Sequence, residues 1–176
     1  MIIYKPLTIE EINIDLFTHF YRRQNVTDCW RNIEGVWQIK ECPFIDDWTV
    51  EDYQELIDCL HHTIQTKGYV LGAFFDQQLK GFICVESSFF GKNKDYLDLS
   101  SLHVSHDMRH LGIGKTLFQS AKKWAKKQGA KKLYISSHSA VETQSFYQAM
   151  GCVDAIEINE MHVMCEPFDR QLECLL

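Results

Sequence analysis

No stretch of this sequence runs apolar for the ~18 residues that a membrane-spanning helix needs. At the start, Met1 to Lys5 shows no basic segment leading into an apolar run, so no secretory signal is expected. Three prolines and nine glycines among 176 residues are too few for a long disordered linker. Internal repeats and low-complexity segments are absent as well. The seven cysteines include no CxxC pair, and no Cys/His spacing typical of a zinc site occurs. Several, such as Cys84, sit in apolar runs where a thiol acts as a small hydrophobe. Free thiols in a reducing cytoplasm are the expectation.

What is present describes one ordinary globular domain, with 45% hydrophobic and 24% charged residues. The net charge of -6 is uneven. Arg109 to Lys132 holds Arg109 and seven lysines without an acid, so it carries +8 and leaves -14 on the rest of the chain. Such a run is usually a solvated helix face. It can also be a local positive field for a polyanionic ligand.

Apolar spacing predicts a helix over Ile9 to Arg23, whereas Gln24 to Asp47 has no clear period. Thr49, with Asp52 in the first turn, predicts the start of a helix reaching about Thr66. Strands are expected at Tyr69 to Phe75, Lys80 to Phe89 and Tyr96 to Val104. A helix over Lys115 to Gln128 has Leu117, Phe118, Ala121, Trp124 and Ala125 on one face and lysines on the other. A strand at Lys132 to Ser136, a helix over Val141 to Met150 and a closing hairpin, Cys152 to Ile156 with His162 to Cys165, complete a mixed α/β fold.

The chemistry concentrates where a strand meets a helix through Arg109-x-x-Gly112-x-Gly114. Glycines there let the backbone approach a ligand closely. The following helix offers unpaired amides and the positive end of its dipole, which suits a phosphate or pyrophosphate. It is not a Walker A loop, because Arg109 stands where that motif needs its first Gly. The dinucleotide fingerprint fails too, since Leu117 stands where its third Gly belongs.

The run from Leu99 to Lys115, LSSLHVSHDMRHLGIGK, resembles motif A of the GNAT acetyltransferase superfamily. Ser145-Phe-Tyr-Gln-Ala-Met-Gly-Cys resembles its motif B, in the right order and at the right distance. The resemblance covers about Tyr69 to Cys165. It implies a GNAT fold: one mixed, mainly antiparallel sheet, helices on both faces, and a V-shaped splay between central strands. It divides the domain into a helical acceptor side (1–68), an acetyl-coenzyme A core (69–165) and a C-terminal tail (166–176). Two departures stand out. Ala140 replaces an Asn common in the family, so its cofactor contact is lost or is taken over by Ser139 or Thr143, and Cys152 replaces a Phe.

By this resemblance, acetyl coenzyme A is the co-substrate. The backbone of Leu102, His103 and Val104 would pair with its pantetheine arm. Arg109 and the amides of His110, Leu111, Gly112, Ile113, Gly114 and Lys115, with Thr116 closing the segment, would hold its pyrophosphate. Transfer to an amine needs a base, because an alkylamine with a pKa of about 10.4 is mostly protonated at neutral pH. It also needs a donor for the developing oxyanion and one for the leaving thiolate. Tyr147 stands at the family's acid position; the alternative is a Tyr packed on the buried face of its helix. The base is Asp98, which matches the glutamate of histone-type members, or Glu86 on the preceding strand, or a water chain; by strand alternation Asp98 could equally be a polar residue facing out of Leu97-Asp-Leu-Ser.

The acceptor would lie against the first 68 residues, where Trp30 and Trp37 form an aromatic wall or belong to the core, and Asp28, Asp46 and Asp47 attract a cation. A small, cationic amine is the expected partner. A protein or peptide amine, and a non-catalytic coenzyme A sensor, are the alternatives. No aromatic-basic stripe speaks for nucleic acid, no membrane contact is expected, and the chain would act as a monomer or homodimer.

Overall fold

The computed structural model describes residues 1–176. The chain opens with strand β1 (Ile3–Pro6), then a hairpin of β2 (Arg23–Ile33) and β3 (Val36–Asp47). Helix α1 (Val50–Gln65) leads to β4 (Tyr69–Phe75), β5 (Gln78–Val85), β6 (Tyr96–Asp98) and β7 (Ser101–Val104). Then come α2 (Ile113–Lys127), β8 (Lys132–Ser137), α3 (Val141–Ala149), β9 (Val153–Asp154), α4 (Glu160–Cys165) and β10 (Arg170–Leu175). No helix is long and apolar enough to cross a membrane.

Two four-stranded sheets result, in the orders β1-β4-β5-β7 and β6-β8-β10-β9. They are joined by the chain itself, because the run Tyr96 to Val104 is not one strand. Its first half pairs parallel with β8, and its second half pairs antiparallel with β5. The expected single sheet is therefore split at Leu99–Ser100, and that split is the origin of the V.

Strand alternation places the two main helices. In β4 and β5, Leu71, Ala73, Ile83 and Val85 share a core with Ile113, Leu117, Phe118, Ala121 and Ala125 of α2. Val70, Leu79, Phe82 and Cys84 point the other way and meet Leu56, Ile57 and Leu60 of α1. Helix α1 begins as expected. Its Thr49 and Asp52 form a capping box, with the Asp52 carboxylate accepting from the Thr49 amide at 2.7 Å.

Three expectations need correction. The helix over Ile9 to Arg23 is only a single 3-10 turn, Ile14–Phe17. Its apolar residues Ile12, Phe17 and Phe20 are buried all the same, so spacing reported burial rather than helix. The aperiodic Gln24 to Asp47 is the β2–β3 hairpin, so the acceptor-side region is not mainly helical. Its period was hidden by a bulge after Val26 and by a β3 that is mostly exposed. Glu34 and Gly35, both at positive φ, turn it.

The closing hairpin is also different. His162 to Cys165 lies in α4, which Asn159 caps by accepting from the Met161 amide. The strand that completes the second sheet is β10, in the segment expected to be a tail. Leu172 and Cys174 enter the core, while Glu173 on the opposite face pairs with Lys132 Nζ at 2.8 Å.

Candidate active site

A cleft of about 850 Å³ opens where the two halves of the Tyr96–Val104 run part. The pairing of β6 with β8 ends when the Leu99 amide donates to the Tyr134 carbonyl. From there β7 follows β5, and its outer edge has no strand neighbour. Leu99 to Val104 form one wall of the cleft and Ser136 to His138 the other.

The glycine-rich turn closes one end. His110 and Gly112 both adopt positive φ, at 63° and 80°. A Cβ on Gly112 would meet nothing within 4 Å, so its glycine answers to backbone conformation. A Cβ on Gly114 would sit 3.2 Å from the Phe146 ring, so that glycine answers to space. The amides from His110 to Lys115 find no acceptor in the protein; the first helical bond here is Thr116 N–H to the Gly112 carbonyl. No acid stands in the first turn of α2. Unpaired donors, a helix N-terminus and bare glycine make a cradle for a polyphosphate.

Residues 33–152 match the model of the acetyltransferase (GNAT) family. The chain belongs to the GNAT acetyltransferases. It is an acetyltransferase with acetyl coenzyme A as co-substrate. Solved structures align along nearly its whole length. A Bacillus anthracis protein assigned as a streptothricin acetyltransferase, in complex with acetyl coenzyme A, superposes with a TM-score of 0.71 at 16% identity, covering 98% of this chain and 96% of that one. Nourseothricin acetyltransferase gives 0.66 at 14% identity, with 98% and 95% covered. The PaiA N-acetyltransferase of Thermoplasma acidophilum, with coenzyme A, gives 0.63 at 20% identity, with 100% and 99% covered. At such identities the likeness is one of fold. No curated protein matches the sequence.

Most residues expected at the cofactor do line the acetyltransferase's cleft: Leu102, His103, Val104, Arg109, His110, Gly112, Ile113, Gly114, Lys115 and Thr143. Three do not. Leu111 faces solvent. The Thr116 hydroxyl donates to the Gly112 carbonyl. Ser139 is committed to the hairpin: its Oγ accepts from Arg31 Nη1 at 2.6 Å and its carbonyl from the Trp30 amide at 2.8 Å. Arg109 reaches across to the Arg23 carbonyl at 2.9 Å and so ties the glycine turn to the foot of β2.

Tyr147 lines the cleft from α3, packed against Phe118 and Phe146. Burial raises the pKa of its phenol, and nearby acidic groups including Asp169 push the same way. It is a proton donor throughout the neutral range.

Neither carboxylate considered as base lies on the cleft wall. The Asp98 carboxylate is held by His162 Nε2 at 2.6 Å, and Glu86 accepts from Thr63 Oγ1 at 2.6 Å and Ser100 Oγ at 3.1 Å. Strand alternation explains Asp98: Leu97 and Leu99 beside it fill the core, so its side chain takes the opposite side.

Of the carboxylates that do face the cleft, Asp46, Glu142, Glu166 and Asp169, the candidate base is Asp169, just before β10. Burial pushes its pKa up to about 6, with Glu166 adding to the rise and the Ser136 hydroxyl, 3.2 Å away, opposing it. At neutral pH it is mostly ionised yet basic enough to accept a proton. A segment read as a tail gave no reason to look there. The alternation of Leu172 and Cys174 with Gln171 and Glu173 was the available sign of a strand.

The acceptor end is built by the hairpin rather than by helices. Arg22, Gln24, Asp46 and Trp48, all at its base, line the cleft. Further along, it docks on the β8–α3 connection through a Cys29–Ala140 bridge. Trp30 and Trp37 do not wall the cleft: Arg170 lies over both rings, 5.7 Å and 4.8 Å from their centroids. Trp48 supplies the aromatic surface instead, edge to face with His103 at 4.6 Å. Burial, with the charges of Arg22 and Arg109 nearby, holds the His103 pKa well below its usual value, so the ring stays neutral. Of the three hairpin carboxylates expected at the acceptor, only Asp46 reaches this cleft.

Proposed function

We propose that this acetyltransferase acetylates the primary amine of a small molecule, with Asp169 as the base and Tyr147 as the acid. The observation that carries the proposal is that both side chains face one cleft with the protonation states the reaction needs. Acetyl coenzyme A supplies the activated thioester. The amides of His110 to Lys115 bind its phosphates, and the unpaired edge of β7 orients its arm. Asp169, helped by the Glu166 charge on the same wall, draws in the ammonium and takes one proton, leaving a nucleophilic amine. Tyr147 donates to the departing sulfur, where an anion in a closed site is costly without a donor.

A small acceptor suits the lining. The hairpin base adds Trp48, Arg22 and Asp46 to the cleft wall, an aromatic surface with a few polar groups of the kind that orients a small molecule. The seven free thiols suit a reducing cytoplasm. Mass spectrometry after incubation with acetyl coenzyme A and a panel of small amines tests the proposal. Mono-acetylated product with release of free coenzyme A is expected. Acetylation confined to peptides would overturn it.

A further inference from the structure

Cys152 and Cys174 face each other at the end of the β9–β10 ladder. The antiparallel register sets Asp154 against Leu172 and Val153 against Glu173, so its next rung sets Cys152 against Cys174. Both side chains enter the core beneath α2, 7% and 1% exposed, and both thiols are free. Directly opposed residues of an antiparallel pair have Cα atoms about 4.5–5.5 Å apart, inside the ~4.4–6.8 Å span of a disulfide. A bond between the two needs no movement of the backbone.

The two sulfurs are not equivalent. The Cys152 thiol donates to the Cys174 sulfur, and Lys122 Nζ of α2 approaches the same sulfur to 3.3 Å. These donors hold the Cys174 pKa below its usual value, against the burial that opposes them. The same contact, with burial, pushes the Cys152 pKa up. Lys122 is also set apart from its neighbours. Lys123, Lys126 and Lys127 of α2 are exposed, as lysine heads usually are, whereas Lys122 is half-buried and turned to the thiol. A cation beside one of two opposed thiols makes that one the nucleophile and leaves the other to resolve it.

We propose that Cys152 and Cys174 are a modification site for a hydroperoxide, closing to a reversible disulfide that clasps the end of α3 to β10. The Cys174 thiolate attacks one oxygen of hydrogen peroxide. The O–O bond breaks, the second oxygen leaves as hydroxide, and Cys174 becomes a sulfenic acid. The Cys152 sulfur then displaces the hydroxyl of that acid, and its proton leaves with the hydroxyl as water. In sum, two thiols lose two electrons and two protons, and one hydrogen peroxide becomes two waters. The oxidant is small enough to reach a pair at a sheet edge, where β9 is a two-residue outer strand. The loop that the bond closes contains α4 and Asp169. The inference stands whichever group acts as the base.

The experiment treats the reduced full-length protein with a few equivalents of hydrogen peroxide and maps its peptides by mass spectrometry. A linked Cys152–Cys174 peptide, two hydrogens lighter than the separate pair and released by dithiothreitol, is expected. The oxidised protein should melt roughly 5–10 °C higher, the scale of closing a loop of this size. Cys152→Ser should stop the reaction at a sulfenic acid on Cys174, trapped by dimedone. Lys122→Met should slow closure about fivefold or more, as the thiolate loses its cation. The linked peptide is sought in the parent protein, so a variant that folds poorly cannot mask the answer. Oxidation confined to the exposed Cys59 and Cys165, with the pair still reduced, overturns the site. A linked pair that melts no higher overturns the clasp.

Discussion

His162 Nε2 meets Asp98 Oδ2 at 2.6 Å and so fastens helix α4 to strand β6. The carboxylate raises the His162 pKa. A group whose folded pKa is raised stabilises the protein fully below its unfolded pKa, about 6.5 for His. That contribution fades as pH climbs through the folded value. Asp98→Asn should therefore lower Tm by ~2–8 °C at mildly acid pH, from about 1–2 kcal/mol, and by less at alkaline pH. Thermal melts from acid to alkaline pH check this; a gap that widens with pH contradicts it. Turnover should fall far less than in a variant of Asp169.

Asp169→Asn is the direct test of the base. With a pKa of about 6, Asp169 should set the acid limb of kcat/KM. The amide should cut turnover ~10²-fold and remove that limb, with coenzyme A affinity unchanged. The same raised pKa has a stability consequence of the same sense as that of His162, in a lower pH window. The fold favours the protonated acid, so stability falls as pH rises from the ordinary carboxylate value, about 3.9, towards 6, and the Asn variant should lack that fall. If Glu86→Gln or Asp98→Asn flattens the limb instead, Asp169 is structural.

How much of this site the sequence revealed depended on whether local pattern and function coincided. The glycine turn and the helix behind it were legible because Gly112, Gly114 and the apolar stripe of α2 act within a short window. The order of β4, β5, α2, β8 and α3 followed from the same periodicities. Arg22, Trp48 and Asp169 were not legible, because each reaches the cleft through long-range pairing. Arg22 and Trp48 are brought in by a hairpin whose alternation a bulge interrupts, and Asp169 by a strand that inserts between β8 and β9. For Asp98 the sequence left two readings open, because counting back from the glycines locates a residue along a strand but not which face it occupies; the structure holds its carboxylate on His162, away from the cleft wall. The break at Leu99–Ser100 lay inside what looked like one strand.

Gly114→Val should weaken acetyl coenzyme A binding by at least ~1.4 kcal/mol, a tenfold change. The added Cβ would stand 3.2 Å from Phe146, and the larger side chain would invade the turn beneath the unpaired amides. Calorimetry on the folded variant measures it. Gly114→Ala is the graded control, since the Phe146 ring need give only a few tenths of an ångström. Unchanged affinity in both variants would remove the phosphates from this turn.

Tyr147→Phe isolates one hydroxyl. The ring packs against Phe118 and Phe146, and the Phe variant keeps that packing, so stability should change little. Coenzyme A affinity should also hold, because the proposed contact forms only as the thiolate leaves. Turnover should drop ~10²-fold, the usual scale of general-acid catalysis. Because burial raises the phenol's pKa, Tyr147 stays protonated through the neutral range and should impose no alkaline limb there. A limb attributable to Tyr147 would contradict that burial. The split between kcat and KM is decisive. A loss confined to kcat marks an interaction made in the transition state, whereas a rise in KM alone marks a ground-state contact with the substrate. Thioester analogues with a more acidic leaving thiol sharpen the test: they need less help from an acid, so the Phe variant should recover towards the parent as thiol acidity increases. If parent and variant respond alike, the proton reaches sulfur by another route, and Tyr147 is a packing residue of α3.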